Sequence, residues 1–567
     1  MSSAPGSSAC WSNAWPDRRP PAARAAKVAQ RLMDYPLETF TDEERALLAP
    51  HFTNLDQPVF ALVNLPETVK GALFARYSRY QGTLRRLYLE EFAADTASGP
   101  DGVGIQPDPA AGERARKLYE RIFIGYGDDS VAQLGGAHIA CEWVSNVMTK
   151  LLQRGRLAAY LEQSTRYMAY DAPMGEGLGY RYWRHPDLGP EYEAAMDFLF
   201  DSYSEALPRV EAWAAERFPC ADGEPEAAHM RSIRAKALDL LRGLLPAASL
   251  SHVGVFASGQ AYEQLLLRLS ASPIPEAREY ARMILAELKA VVPSFVARVE
   301  RPDRGGEWVD YLERREHAAD RWAARLGLDR ARGGEEEAGP AVRLLSVQGS
   351  EEELLAALLF ESAAVSEDEA RAALHNLPPD ERAAMLAELV GERGNRRHRP
   401  GRGFEALSYR FEVVSDYGAF RDLQRHRLLT VQWQTLGPEL GAGVPEELDQ
   451  AGVGNLYRAG LERSRAEHAR IVALGRPELA PYALALGYRI RYILDMNARE
   501  AMHLIELRSG REGHPAYRAV AHALHAEIAR VHPAVAATMS FVDRDTEPRL
   551  ERILSEIRAH AKQAARA

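Results

Sequence analysis

Three short stretches of the chain gather residue types that hold anions or move protons. Arg425-His426-Arg427 sets two guanidiniums about an imidazole, directly after Tyr417–Leu423, where the spacing predicts a helix. That donor array suits a phosphate or the edge of an electron-rich ring. Taken alone, a solvated basic helix end, favoured by the helix dipole, is the commoner explanation. Glu162, Ser164 and Arg166 follow Tyr160 at alternate positions, which on an extended chain brings a carboxylate, a hydroxyl and a guanidinium to one side. The trio could hold a sugar hydroxyl and a phosphate, and an edge strand with a polar face explains it equally well. Glu500 and His503 lie one helical turn apart. A di-metal carboxylate bundle needs a second such motif; the corresponding stretch Gly259–Arg268 has none, so no metal is expected. His522, His525 and His532 have no thiolate or acid beside them, which assigns them to packing or surface. Cys141 sits in an apolar context and reads as core, and the glycines at 175, 177 and 179 lack the strand and spacing of a dinucleotide fingerprint.

The elements that must position these groups are mostly helical. Apolar residues at three- and four-residue spacing predict helices over Glu191–Phe218, Met230–Leu245, Pro275–Val291 and Ala516–Val531, while Ala406–Ser415 alternates as a strand does. A mixed, helix-heavy α+β fold is expected. Residues 1–25 carry no apolar period and read as a flexible leader. The Gly, Glu and Pro run Arg332–Pro340 marks a boundary, so the expected organisation is a first unit over 26–331, a linker over 332–345 and a second unit over 346–567. The two units look like copies. Ala61-Leu62-Val63-Asn64-Leu65-Pro66 recurs 312 residues later as Ala373-Leu374-His375-Asn376-Leu377-Pro378, and Arg154-Gly155-Arg156-Leu157 recurs 271 residues later as Arg425-His426-Arg427-Leu428. The order is kept while the spacing shrinks, as it does when the first copy carries loop insertions.

Composition bounds the rest. The chain has 567 residues, 46% apolar and 26% charged, which excludes a fibrous or mainly disordered protein. A formal net charge of −10 disfavours a nucleic-acid partner. Without a run of about 20 apolar residues or a secretory h-region, no membrane association is expected and the cytoplasm is the expected compartment. Three cysteines, Cys10, Cys141 and Cys220, without CxxC spacing argue against a disulfide framework or a thiolate zinc site.

Together, Arg154–Tyr167 and Arg425–Gly437 resemble the signature of flavin-dependent thymidylate synthases. Leu494–Arg508 is similar to that family's later helix, Leu241–Pro246 to the segment carrying its phosphate-binding arginine, and Ala75-Arg76-Tyr77-Ser78 to an early flavin-contacting segment. The resemblance implies two tandem copies of a fold in which helices pack on a small antiparallel sheet. It implies an FAD-dependent methyltransferase that converts dUMP to dTMP with methylenetetrahydrofolate and NADPH, without a cysteine nucleophile. Neither copy is complete. The first keeps Glu162, Ser164, Arg166 and Arg242, but has Gly155 for the histidine. The second keeps Arg425, His426, Arg427, Asn497, His503 and Arg508, but has Trp433, Thr435, Gly437 and Pro481 at the other positions. On this resemblance Glu162, Ser164, Arg166 and Arg242 bind the nucleotide. Arg425, His426, Arg427, Asn497, His503 and Ser78 bind flavin, and Arg508 and Arg425 act on the reacting pyrimidine. Family members are homotetramers, so a homodimer of duplicated chains is expected. A non-catalytic nucleotide- or flavin-binding protein on the same scaffold, and a helical interaction protein with merely basic surfaces, are the alternatives.

Overall fold

The computed structural model describes residues 36, 38–65, 73, 77, 80–93, 136–328 and 341–564. Two four-stranded antiparallel sheets with helices make it an α+β protein. The first sheet has strands β1 (Val59–Leu62), β2 (Gly136–Ser145), β3 (Ala158–Glu162) and β4 (Leu250–Ser258) in the order β1-β2-β4-β3. The second repeats that order as β5-β6-β8-β7, from β5 (Ala341–Gln348), β6 (Ser408–Asp416), β7 (Leu429–Trp433) and β8 (Arg489–Asn497). The inner strands each run straight into a helix through a side-chain cap. Ser145 caps α1 (Asn146–Leu152), Ser258 caps α4 (Gly259–Ser270), Asp416 caps α6 (Tyr417–Leu423) and Asn497 caps α8 (Ala498–Arg508). Each supplies an acceptor to an otherwise unpaired helix-start N–H.

Between the first sheet's β3 and β4 lie α2 (Gly189–Arg217) and α3 (Glu226–Leu241), and α5 (Pro275–Val291) follows α4. The second unit has α7 (Gly454–Ala473) before β8, then α9 (Pro515–Val531) and α10 (Ile553–Ala564) after α8. Predicted helices agree with α2, α3, α5 and α9 to within a turn.

The two units share one hydrophobic core, and the contact between them has two-fold character. Leu486 donates its N–H to the Leu245 carbonyl (2.9 Å), Ala247 donates to that of Leu484 (2.7 Å), and Pro246 bridges Ala485. Pro246 and Ala485 are 239 residues apart, as are the caps Ser258 and Asn497. Each segment therefore pairs with its own counterpart, as across an isologous dyad. Beside this seam Trp183 stacks on Tyr482 with ring centroids 4.2 Å apart, an arrangement worth about 0.5–1.5 kcal/mol beyond its buried area.

Three expectations are corrected here. The Ala61–Pro66 and Ala373–Pro378 echo does not relate equivalent positions. Ala61 and Leu62 belong to β1, whereas Ala373–His375 close the helix Glu367–His375. The counterpart of β1 is β5, paired to β6 as β1 is to β2. Strand β5 begins at Ala341, inside the stretch 332–345 expected to be a linker, because the charge and glycine run ends before Ala341-Val342-Arg343-Leu344. Ser164–Tyr167 is a turn rather than a continued strand.

Candidate functional site

The β3 end and the turn after it carry Glu162–Arg166 to the seam between the copies, where they meet Arg242 at the end of α3 and Gly418, Arg421, Asp422 and Arg425 on and after α6. These ten residues enclose a small cavity. Arg166 grips Asp239 in a fork, Nε to Oδ1 at 2.8 Å and Nη2 to Oδ2 at 2.7 Å, and its Nη1 donates to the Tyr517 hydroxyl at 2.9 Å. Arg242 Nη1 donates to Asp422 Oδ2 (3.3 Å), and Arg425 pairs with the other oxygen of the same carboxylate. Glu162 accepts from Lys150 (3.1 Å), Gln153 (2.9 Å) and Arg421 (2.7 Å). Arg508 lies 3.8 Å from Asp422.

Cations outnumber anions in this buried cluster. Among the described residues, Arg166, Arg242, Arg421, Arg508, Arg552 and Lys150, with the exposed Arg425 at the rim, gather about the four carboxylates Glu162, Asp239, Asp416 and Asp422. Burial works against charging Glu162, Asp239 and Asp422, yet the surrounding guanidiniums, with Lys150 at Glu162, hold all three carboxyls well below the usual range. Burial, only partly offset by Glu162, brings the Lys150 ammonium down to about 8. Desolvation pushes the partly buried Asp416 up. Arg242 Nη2 is buried without a hydrogen-bond acceptor, as is Arg421 Nε. Such orphaned donors are costly and mark a place where an anionic oxygen is favourable. The glycine at 418 keeps this space open, since a Cβ there would sit 3.0 Å from Arg242 Nε and Nη2.

A second cavity, of about 260 Å³, is built from the two echoed loops, Gln153–Arg156 and Gln424 with His426 and Arg427, against Leu429–Trp433. The loops reach across to each other's strands: Arg156 donates to Thr430 Oγ1 (2.8 Å) and Arg427 to the Ala158 carbonyl (2.5 Å). Gln153 Oε1 and Gln424 Oε1 are buried acceptors without donors. This lining, with Arg154, Arg156 and Arg427 about a ring-sized space, fits the ring portion and phosphates of a flavin. The volume is just under the ~300–1,000 Å³ of typical ligand sites.

His426, at the wall of the second cavity, is buried. Arg508 Nε can only donate, so His426 Nε2, 3.0 Å away, is the acceptor; the ring proton sits on Nδ1 and is donated to Glu500 Oε1 at 2.8 Å. Burial outweighs the Glu500 contact and lowers the imidazole to about 4, so it is neutral. His503 Nδ1 lies 3.2 Å from the other Glu500 oxygen. A metal ion among His426, Glu500 and His503 would need Nδ1 bare and would drive the proton onto Nε2 against the Arg508 donor. The trio is therefore a hydrogen-bonded chain rather than a metal centre.

Glu162, Ser164, Arg166, Arg242 and Arg425 line the first cavity, and His426 and Arg427 line the second. Arg508 lines neither; it reaches the site through its contacts with His426 and Asp422. Asn497 and His503 line neither: the Asn497 side chain caps α8, and His503 reaches the site only through Glu500. Ser78 lies outside the described residues. Sequence reasoning missed Lys150, Gln153, Asp239, Gly418, Arg421 and Asp422. Asp239 lies one turn before Arg242, and Arg421 and Asp422 one turn before Arg425, so helical spacing from the chosen arginines was the available signal.

The fold and site define a duplicated α+β protein with one buried guanidinium cluster at its internal dyad. The family described as thymidylate synthase complementing protein matches residues 85–294 and again 344–534, and the chain belongs to that family as two tandem copies. It is similar to a UPF0159 protein of Chlamydia muridarum, 36% identical over 533 residues, 92% of this chain and 99% of the relative. A UPF0159 protein of Thermoplasma acidophilum is 30% identical over 524 residues, 87% of this chain and 99% of the relative. A solved structure of a UMP/dUMP methylase, PolB of Streptomyces cacaoi bound with 5-Br dUMP, is 19% identical and covers 37% of this chain and 99% of its own, with a TM-score of 0.30.

Proposed function

We propose that the chain is a flavin-dependent thymidylate synthase acting on dUMP, with methylenetetrahydrofolate as one-carbon donor and NADPH as reductant. The observation that carries this reading is the largely buried excess of guanidiniums, with Arg242 Nη2 3.8 Å from Asp416 and without a hydrogen-bond acceptor, together with a ring-sized cavity. Arg166 and Arg242 hold the nucleotide phosphate, and Glu162 and Ser164 the deoxyribose. Arg508, aligned by His426, meets the charge that develops on the pyrimidine carbonyl. Flavin, when bound, supplies the hydride that reduces the transferred methylene. His426, Arg427, Gln153, Arg154 and Arg156 are the residues that would hold it. The reading needs no thiol, and the described cysteines agree with this: Cys141 is buried in β2 and Cys220 lies in an exposed turn beyond α2.

A phosphate contact acts alike on bound substrate and transition state, whereas a donor at developing charge acts mainly on the latter. Arg166→Ala and Arg242→Ala should therefore raise the KM for dUMP at least about tenfold with little loss of turnover, and Arg508→Ala should lower turnover on the order of a hundredfold. Steady-state kinetics, with flavin absorbance recorded for each variant, tests this. Unchanged dUMP affinity in both phosphate variants would remove the assignment. Flavin and dUMP binding without dTMP formation or hydrogen exchange at carbon 5 would replace it with a non-catalytic binding protein.

A further inference from the structure

Beyond the segments that the family pattern matches, the chain runs on from residue 535 and returns to the first copy. There Leu550 packs with Ala214 and Ile233, Lys236 pairs with Glu551 at 2.8 Å, and Arg231 pairs with Glu556 at 2.7 Å. This docking places one more guanidinium at the anion cluster. Arg552 is 3% exposed, and its Nη2 donates to both oxygens of Asp239, at 3.1 and 3.3 Å. Its Nη1 donates to the backbone carbonyl of Arg166 at 2.7 Å, and its plane lies over the Tyr167 ring at 4.0 Å.

We propose that Arg552 is a positioning residue for phosphate recognition, through which the C-terminal arm completes the nucleotide site. The inference rests on the nucleotide reading of the cluster. Asp239 is forked onto Arg166, and with no third partner the two charges would cancel, leaving a neutral pair. A second guanidinium on the same carboxylate leaves the group of three with one positive charge, so Arg166 keeps its attraction for a dianion. The hydrogen bond to the Arg166 carbonyl also fixes the Ser164–Tyr167 turn from which that side chain projects. Arg552 touches the substrate nowhere in this scheme; it acts through Arg166 and Asp239.

The readout is the preference for dUMP over deoxyuridine, which differs only in lacking the phosphate, measured by calorimetric titration of the full chain. Arg552→Gln keeps a donor for the Arg166 carbonyl and packing on Tyr167 but removes the charge. It should reduce the preference at least about tenfold by weakening dUMP alone, while Arg552→Lys, which restores the charge, recovers most of it. If the glutamine variant keeps the wild-type preference, if it weakens both ligands equally, or if lysine does no better than glutamine, the proposal is overturned. Wild-type protein that binds dUMP no better than deoxyuridine would instead defeat the nucleotide reading itself, and this inference with it.

Discussion

Asp422 is the residue on which the anion cluster turns. Its carboxylate is shared by Arg242 and Arg425 and approached by Arg508, and the space left among these side chains is about 20 Å³, room for about one water. A phosphate entering the cluster must take over guanidiniums that Asp422 now neutralises. Asp422→Asn keeps the shape and removes the competitor. It should tighten dUMP binding by on the order of tenfold, about 1.4 kcal/mol, and lower the melting temperature of the ligand-free protein, whose guanidiniums lose a counter-charge. Titration and thermal unfolding check the pair of effects; weaker dUMP binding would show that Asp422 orients the arginines rather than competing for them. Nothing in the residue pattern announced this role. The arginines were legible because unusual charge in a helical sequence stands out, and they proved to share one cavity although they come from different copies. Their carboxylate partners were not, since an Asp one turn from an Arg is ordinary on any helix.

Elements report the duplication more faithfully than short sequence echoes do. The 271-residue spacing of the Arg-x-Arg-Leu echo agrees with the spacing of the caps Ser145 and Asp416, and the first copy's extra length falls between β3 and β4, where it has two long helices, α2 and α3, to the second copy's α7. The 312-residue echo was coincidence, because Ala-Leu-x-Asn-Leu-Pro ends a helix as readily as a strand. The alternation of β6 and the period of α5 were readable, being set by one buried face. The partner that α5 would meet was not. Its Glu276 is fully buried against the cap of α1 and the dyad seam, accepting from Ser145 N–H (2.9 Å), Ser145 Oγ (2.6 Å) and Tyr482 O–H (2.6 Å). Burial nevertheless pushes its carboxyl up from 4.5 to about 7. A carboxyl raised in the folded state favours folding when protonated, so stability is fullest below about pH 4.5 and falls as pH rises towards 7. Glu276→Gln should remove that fall and unfold at higher denaturant concentration than wild type at pH 8, by at most about 3 kcal/mol, with no such advantage at pH 4.5. An equal gain at both pH values would assign the effect to packing instead.

At the scale of the whole molecule, the internal dyad generates two positions for the anion cluster, and the chain keeps only one. Applying the spacings of 271 and 239 residues carries Glu162, Ser164 and Arg166 onto Trp433, Thr435 and Gly437, and Arg242 onto Pro481; in the opposite direction Arg421, Asp422 and Arg425 map onto Lys150, Leu151 and Arg154. The twin position thus keeps a hydroxyl at Thr435 but has no counterpart of the Glu162 carboxylate or of the Arg166 and Arg242 guanidiniums. Arg154 instead lies over the Trp433 ring at 4.9 Å, a cation–π contact that occupies the guanidinium left there. The same Arg154 and Trp433, with Arg156, line the cavity shared with His426 and Arg427. A symmetric dimer of single copies would offer two equal nucleotide sites; this chain should bind one dUMP. Equilibrium titration at protein concentrations well above the dissociation constant is expected to saturate at one nucleotide per chain, whatever the number of chains in the assembly. Trp433→Ala, which opens the twin position without restoring its charges, should leave that stoichiometry unchanged. Two nucleotides per wild-type chain would mean that the twin position recognises phosphate through groups other than those the dyad relates to the first, and the loss of symmetry would then be one of sequence alone.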